Sequence, residues 1–191
     1  AEVLPDLPSL RVILQVPDAS GLPLLPGAVW YEDALAAASP AKPAVQWHAD
    51  DLYILYTGGT TGMPKGVLWR QHDIFMSAMG GRPFGSDTVL QSYEDLAEQA
   101  RTNVGVRTVL MIPPLMHGAA QWAAFNMIST GGWIALPDDV DHLNAPAVMR
   151  LAERERVLSI PVVGDAIARP LLDEIETGRY DLSGLLTITN G

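Results

Sequence analysis

The residues best suited to chemistry form one unbroken run, Tyr56-Thr57-Gly58-Gly59-Thr60-Thr61-Gly62-Met63-Pro64-Lys65-Gly66. Glycine lacks a Cβ and tolerates positive φ, so its backbone N–H groups can approach an anion closely. Thr60 and Thr61 add hydroxyl donors, and Lys65 adds a mobile positive charge. After an apolar strand this makes a phosphate cradle. In a chain of net charge −10, a polyphosphate accounts for such donors with Lys65 and Arg70 nearby. The competing reading is a hairpin turn between strands, where Gly and Thr are common. A P-loop is disfavoured, because Lys65 is followed by Gly66 where that motif needs Ser or Thr. A dinucleotide fingerprint fails as well: Gly58, Gly59 and Gly62 lack its first spacing, and no ribose-binding acid follows.

A second candidate follows Pro113-Pro114-Leu115-Met116: His117, then Gly118, with Gln121 and Trp122 one turn on. Alone, a histidine after a strand reads as a capping or core residue. Trp122, Phe125 and Ile128 read as core, although Gln121 and Trp122 follow His117 closely enough to face a ligand there. His72 reads as a helix-start residue, and His48 and His142 lie in polar, solvated loops. Asp50-Asp51 and the group Asp138, Asp139 and Asp141 suggest surface acids sooner than a metal site, so no metal ligand is assigned.

Short apolar, β-branched runs alternate with segments of helical period along the chain, the pattern of an α/β protein. Strands are predicted over residues 10–16, 52–56, 108–112, 133–136, 157–163 and 185–189. Helices are predicted over 30–38, 72–79, 117–130 and 145–156, with loops at 17–26 and 80–87. Tyr93, Leu96, Ala97 and Ala100 share one face of a further helix. Asn144 caps the 145–156 helix and Pro146 sits in its permissive first turn. Ile167, Leu171 and Ile175 stripe a last helix that Gly178 ends, and Pro170 either kinks it or marks its start. Asp165 is expected to cap the turn before it.

The totals bound the rest. The 191 residues suffice for one large domain or two small ones, and 48% hydrophobic against 18% charged residues indicates a globular chain. There is no cysteine, which removes disulfides and thiolate metal sites and is compatible with a cytoplasmic location. With 12 basic against 22 acidic residues, the chain repels nucleic acid and anionic membranes unless a basic patch is kept. No apolar run reaches the roughly 18 residues of a membrane span. The first residues lack an initiator Met and a basic signal-peptide start, and a strand at the very end has no following element. Both ends read as those of a piece of a longer protein.

Residues 56–66 resemble the Tyr-Thr-Ser-Gly-Thr-Thr-Gly-x-Pro-Lys-Gly signature of the adenylate-forming superfamily, which includes acyl-CoA synthetases, luciferases and nonribosomal adenylation domains. Gly58 stands where Ser is usual, which removes one hydroxyl and keeps a backbone N–H. The extension to Val67-Leu68-Trp69-Arg70-Gln71 is closest in style to actinobacterial fatty-acid and steroid-side-chain CoA ligases. Residues 113–118 resemble the family's Pro-Leu-x-His motif, whose His or aromatic side chain sits at the acyl gate. Thr187-Ile188-Thr189-Asn190-Gly191 resembles the strand entering the adenine-binding Ser-Gly-Gly-Ala loop, with Asn190 at the Ser position. Residues 162–166, with Val163 and Gly164, resemble the start of a helix lining the acyl tunnel. A plain strand-to-helix turn explains them equally well. Residues 80–106 fit the family less well and resemble a subfamily insertion, serving packing, dimerisation or substrate choice.

The resemblance implies a partial N-terminal AMP-binding domain over residues 1–191, a mostly parallel sheet flanked by helices, without the C-terminal domain. It implies a ligase that uses ATP, Mg²⁺ and coenzyme A to convert an apolar carboxylic acid, a fatty acid or a sterol side chain, to acyl-adenylate and then acyl-CoA. Thr57, Gly58, Gly59, Thr60, Thr61, Gly62 and Lys65 would bind the phosphates, with Thr61, Lys65 and His117 as catalytic residues. Asn190 and Gly191 would begin the adenine loop, and His117, Gly118, Gln121, Trp122, Val163 and Gly164 would line the acyl pocket. Homodimerisation is possible within this reading. The alternatives are a fatty-acyl-AMP ligase, a carrier-protein-loading enzyme, or a nucleotide-binding module without catalysis. The family's Mg²⁺-binding Glu and C-terminal catalytic Lys have no counterpart here, so the 191 residues alone are expected to be inactive.

Overall fold

The computed structural model describes residues 3–18, 20–58, 63–82, 87–139 and 141–190. It divides into two compact units, residues 1–46 and 47–191.

In the first unit a 3₁₀ turn, Leu4–Asp6, precedes two short parallel strands, β1 (Leu14–Gln15) and β2 (Val29–Trp30), and helix α1 (Tyr31–Ala37). The Gln15 side chain ties the intervening loop, donating to the Pro23 carbonyl and accepting from the Leu25 N–H. The strand predicted over residues 10–16 shrinks to two residues, because β2 offers only two residues to pair with.

The second unit opens with an antiparallel ribbon, β3 (Leu52–Thr57) and β4 (Lys65–Arg70), in register from Leu52↔Arg70 to Thr57↔Lys65. Strand β4 is absent from the sequence-based prediction. Helix α2 (Gln71–Ala78) follows at once, and α3 (Tyr93–Thr102) starts at a capping box in which Ser92 and Asp95 satisfy each other's backbone N–H groups.

A four-stranded, all-parallel sheet is built from β5 (Thr108–Leu110), β6 (Trp133–Ala135), β7 (Ser159–Val162) and β8 (Thr187–Asn190) in the order β6-β5-β7-β8. Its connections are α4 (Gly118–Thr130), α5 (Ala145–Arg154) and α6 (Asp165–Ile175). Strand β5 is buried throughout, as a parallel strand covered on both faces must be. Its alternate side chains go to opposite layers: Val109, with Met111 just beyond, packs against Ala120, Ala124 and Met127 of α4. Leu110 packs with Val148, Met149 and Ala152 of α5 and Leu171 of α6. The predicted α/β class, a parallel sheet flanked by helices, is what the chain adopts.

Several local expectations need correction. Phe125 and Ile128 are 48% and 65% exposed, not core. The small residues of α4 face the sheet because they let the helix lie close to β5. Helix α6 begins at Asp165 and carries Pro170 inside it, so Pro170 does not mark its start. Asp165 is its first residue and no cap: Gly164 holds the N-cap position, and no side chain bonds there. Asn144 caps α5 as expected, accepting from the Ala147 N–H at 3.1 Å. Helix α3 packs against α4, so part of the 80–106 segment serves packing.

Candidate active site

The chain runs from β5 outward to β6, then returns across β5 to β7 and on to β8. The connections leaving β5 and β7 therefore diverge at the carboxyl ends of these neighbouring strands. Open parallel sheets bind ligands at such switch points. Residues 113–118 leave the end of β5, Val163 and Gly164 leave the end of β7, and Asn190 ends β8. Three sequence-predicted segments, separated by as many as 77 positions, thus share one edge of the sheet.

His117 is exposed and holds the N-cap position of α4. Its N–H donates to the Pro114 carbonyl at 2.9 Å, and its carbonyl accepts from the Gln121 N–H at 3.0 Å. The imidazole makes no capping bond. At the end of β8 the Asn190 side chain accepts from the Gly164 N–H at 2.8 Å. This bond ties the predicted adenine-loop start to the turn that enters α6.

The ribbon lies along α4 with opposite polarity. A Cβ placed on Gly118 would come within 2.2 Å of Leu55 Cδ2, so the start of α4 lies against β3 and any larger residue there would displace the Leu55 side chain. The Tyr53 hydroxyl donates to Gln121 Oε1 at 2.5 Å, and Trp69 meets Trp122 edge to face at 6.0 Å. The Trp122 indole N–H is buried without a partner among the described residues, so this ring is engaged in packing. Going from Gln121 back to Gly118 corresponds to going forward from Tyr53 to Leu55. Thr57 lies two residues further, about 7 Å on at strand spacing. The Thr57–Lys65 end of the ribbon therefore lies just beyond the amino end of α4, near His117.

Thr57 and Lys65 face each other as the last cross-strand pair, with the Thr57 hydroxyl 3.4 Å from the Lys65 carbonyl. Both are exposed, as is Gly58. Gly59, Thr60, Thr61, Gly62 and Gly191 lie outside the described residues. Strands β3 and β4 pair antiparallel on either side of the run, and phosphate binding is a separate, functional assignment. Lys65 heads β4 and enters no ion pair among the described residues.

Arg70 is different, and its reading as a phosphate-side cation is overturned. It sits at the other end of β4, its guanidinium held by Asp73 at 2.8 Å and Asp50 at 3.0 Å. The hydrogen bond to Asp73 raises the Arg70 pKa, and the same bond lowers that of Asp73. Among the described residues no group of three His, Cys, Asp or Glu side chains is placed to hold a metal ion. Sequence reasoning missed Tyr53 and Leu55, which hold the ribbon on α4; their alternation within residues 52–57 is the signal that marks them as one face.

The fold is that of an α/β protein whose parallel sheet has a switch point between β5 and β7. The chain matches the AMP-binding enzyme family over residues 1–191, and it belongs to that family. It is 52% identical over 191 residues to a medium-chain acyl-CoA ligase, Mig, of Mycobacterium avium, a match covering all of this chain and 34% of that protein. It is 38% identical over 198 residues to 3-oxocholest-4-en-26-oate–CoA ligase of Rhodococcus rhodochrous, covering all of this chain and 35% of that one. The N-terminal domain of FACL13 from Mycobacterium tuberculosis superposes with a TM-score of 0.61 at 23% identity, over 86% of this chain and 37% of that one. That likeness shows the shared fold. The chain spans about a third of the length of these curated relatives. Among the described residues no helix is long and apolar enough to cross a membrane.

Proposed function

We propose that these 191 residues form part of the N-terminal AMP-binding domain of an acid–thiol ligase, which activates an apolar carboxylic acid with ATP and passes it to coenzyme A. The observation that carries this reading is the placement of the His117 turn, the β7–α6 turn and Asn190 on one edge of the parallel sheet, with the Thr57–Lys65 end of the ribbon beside the start of α4. The relatives, a medium-chain acyl-CoA ligase and a 3-oxocholest-4-en-26-oate–CoA ligase, agree with it.

In the first half-reaction a carboxylate oxygen attacks the α-phosphorus of ATP, and the bond to the leaving pyrophosphate breaks. In the second, a thiolate attacks the acyl carbon and AMP leaves. What the first step needs from protein is charge stabilisation on the pyrophosphate and in-line positioning. Thr57 through Gly62 supply donors, and Lys65, unpaired among the described residues, supplies charge. His117 shapes the carboxylate end, with Gly118, Gln121, Trp122, Val163 and Gly164 around the acyl entrance and Asn190 with Gly191 at the adenine. Mg²⁺ would neutralise phosphate charge. The described residues contain no carboxylate cluster for it, so its protein ligands belong elsewhere in this reading.

The test is ATP–pyrophosphate exchange by the full-length gene product with a series of carboxylic acids. Acid-dependent exchange is the expected result. Nucleotide binding without exchange for any acid would sink the ligase reading and leave a binding module.

A further inference from the structure

Seven methionines carry the only sulfur in this cysteine-free chain, so its sulfur chemistry falls to thioethers. Five of them are shielded. Met79, Met111, Met127 and Met149 are buried, and Met76 is half-buried. Two of the shielded sulfurs lie directly against glycines. A Cβ added to Gly81 would come within 2.6 Å of Met76 Sδ, and one added to Gly132 within 2.6 Å of Met127 Sδ. The other two methionines, Met63 and Met116, are 86% and 77% exposed. Both stand in the segments read above as ligand-binding. Met63 precedes Pro64 and Lys65 at the end of the ribbon, and even a fully extended chain keeps it within about 7 Å of Lys65. Met116 immediately precedes His117, the N-cap residue of α4. Gly118, two residues on, meets Leu55 of β3, and Leu55 is two residues from Thr57, the cross-strand partner of Lys65. The two open thioethers thus flank one corner, where the Thr57–Lys65 pair lies beside the start of α4.

We propose that Met63 and Met116 are paired modification sites, at which a hydroperoxide converts each thioether to a sulfoxide and disables the corner between them until a reductase reverses the change. The effect on activity rests on the ligase reading above, whereas the modification does not. A sulfur lone pair attacks the distal peroxide oxygen, an S–O bond forms and the O–O bond breaks. The proton of the transferred oxygen passes to the departing one, which leaves as water from hydrogen peroxide or as an alcohol from an alkyl hydroperoxide. Sulfur loses two electrons and the peroxide gains them. The product is polar and chiral where the thioether was flexible and apolar. At Met63 the new oxygen is a partly negative acceptor two residues from Lys65, so it competes with a phosphate for that charge. At Met116 the same group lies next to His117, at the end of the site that receives an apolar acid. The remaining methionines are shielded, so oxidation of the folded chain is confined to this corner.

The test treats the full-length gene product with dilute hydrogen peroxide and follows the oxygen gained by each methionine by peptide mass spectrometry. In the native protein Met63 and Met116 should oxidise roughly tenfold or more faster than Met79, Met111, Met127 and Met149, and the difference should vanish in urea. Native rates at Met63 and Met116 no faster than at those four would overturn the proposal. ATP–pyrophosphate exchange is measured over the same time course. It should fall roughly tenfold as the two sulfoxides accumulate, and the two methionine sulfoxide reductases, one for each sulfur epimer, should restore it. The comparison is the double variant Met63→Leu, Met116→Leu, a swap that conserves volume and removes the sulfur. Measured against its own untreated rate, this variant should keep its exchange through the treatment. Loss at the wild-type pace in the variant places the damage elsewhere and refutes the claim on activity. Should no acid support exchange while the two sulfoxides still form selectively, the ligase reading fails and the modification sites stand.

Discussion

Replacement of Gly131 by alanine tests the packing that holds α4, and with it the His117 turn, in place. Gly131 caps the end of α4 at φ +80°, and a Cβ there would come within 2.1 Å of the Ala100 carbonyl oxygen on α3. Two further backbone atoms of Ala100 lie at 2.9 and 3.0 Å, so no rotamer change relieves the clash. The left-handed conformation by itself costs an alanine roughly 1–2 kcal/mol. Overpacking against backbone adds typically 1–3 kcal/mol. Gly131→Ala should therefore destabilise by about 2–5 kcal/mol. Gly178 is the internal control, because it has φ +66° and nothing within 4 Å of the added Cβ. Gly178→Ala should show the conformational part alone, about 1–2 kcal/mol. The assay is urea denaturation of wild type and both variants, with the m-value checked for constancy. If the two variants lose the same stability within ~0.5 kcal/mol, Ala100 does not lie over Gly131 and the docking of α3 on α4 is wrong.

Three further outcomes are expected. Lys65→Ala and Thr61→Ala should each lower ATP–pyrophosphate exchange about tenfold to hundredfold, the worth of a charge-assisted phosphate contact, with acyl preference retained; a shift in preference at wild-type exchange would move the loop to the acyl site. Leu110→Ala, at a fully buried position between β5 and the α5–α6 layer, should cost about 2–5 kcal/mol in chemical denaturation. Arg70→Ala should remove a pH-dependent contribution to stability. The Arg70 contact depresses the Asp73 pKa in the folded state, so that contribution is present above the ordinary aspartate value and is lost as pH falls through the lower folded value. Stability curves of wild type and Arg70→Ala should therefore begin to converge below the ordinary aspartate value and meet below the lowered folded value, and a difference that persists at the acid end would show that Arg70 acts through packing instead.

Much of the local structure was legible because its causes are local. Asn144 and Pro146 announce the start of α5 whatever surrounds them, since capping and a fixed proline φ act within one turn. The apolar, β-branched runs at β5 and β7 mark strands buried on both faces. The run 56–66, with the turns at 113–118 and 187–190, identifies the family by residue type and order, and the match over the whole chain bears that out.

What the sequence left open depends on partners distant along the chain. Strand β4 was missed because Lys65-Gly66-Val67-Leu68-Trp69-Arg70 lacks strict alternation; it is a strand because β3 lies beside it. Arg70 looked available to phosphate until Asp50, twenty positions earlier, was found against its guanidinium. Helix α4 is apolar nearly all round, so its sequence could not say which stripe would be buried. Close approach to β5 selected Ala120 and Ala124 and turned Phe125 outward. The sequence by itself determined the elements, the family and the candidate groups, because propensity, capping and motif chemistry act over a few neighbouring residues. Only the tertiary structure decided the strand order β6-β5-β7-β8 and the opposed lie of the ribbon on α4, because both are set by which apolar faces bury one another. Those two choices bring His117, Gly164 and Asn190 to one edge of the sheet and the Thr57–Lys65 end of the ribbon beside the start of α4.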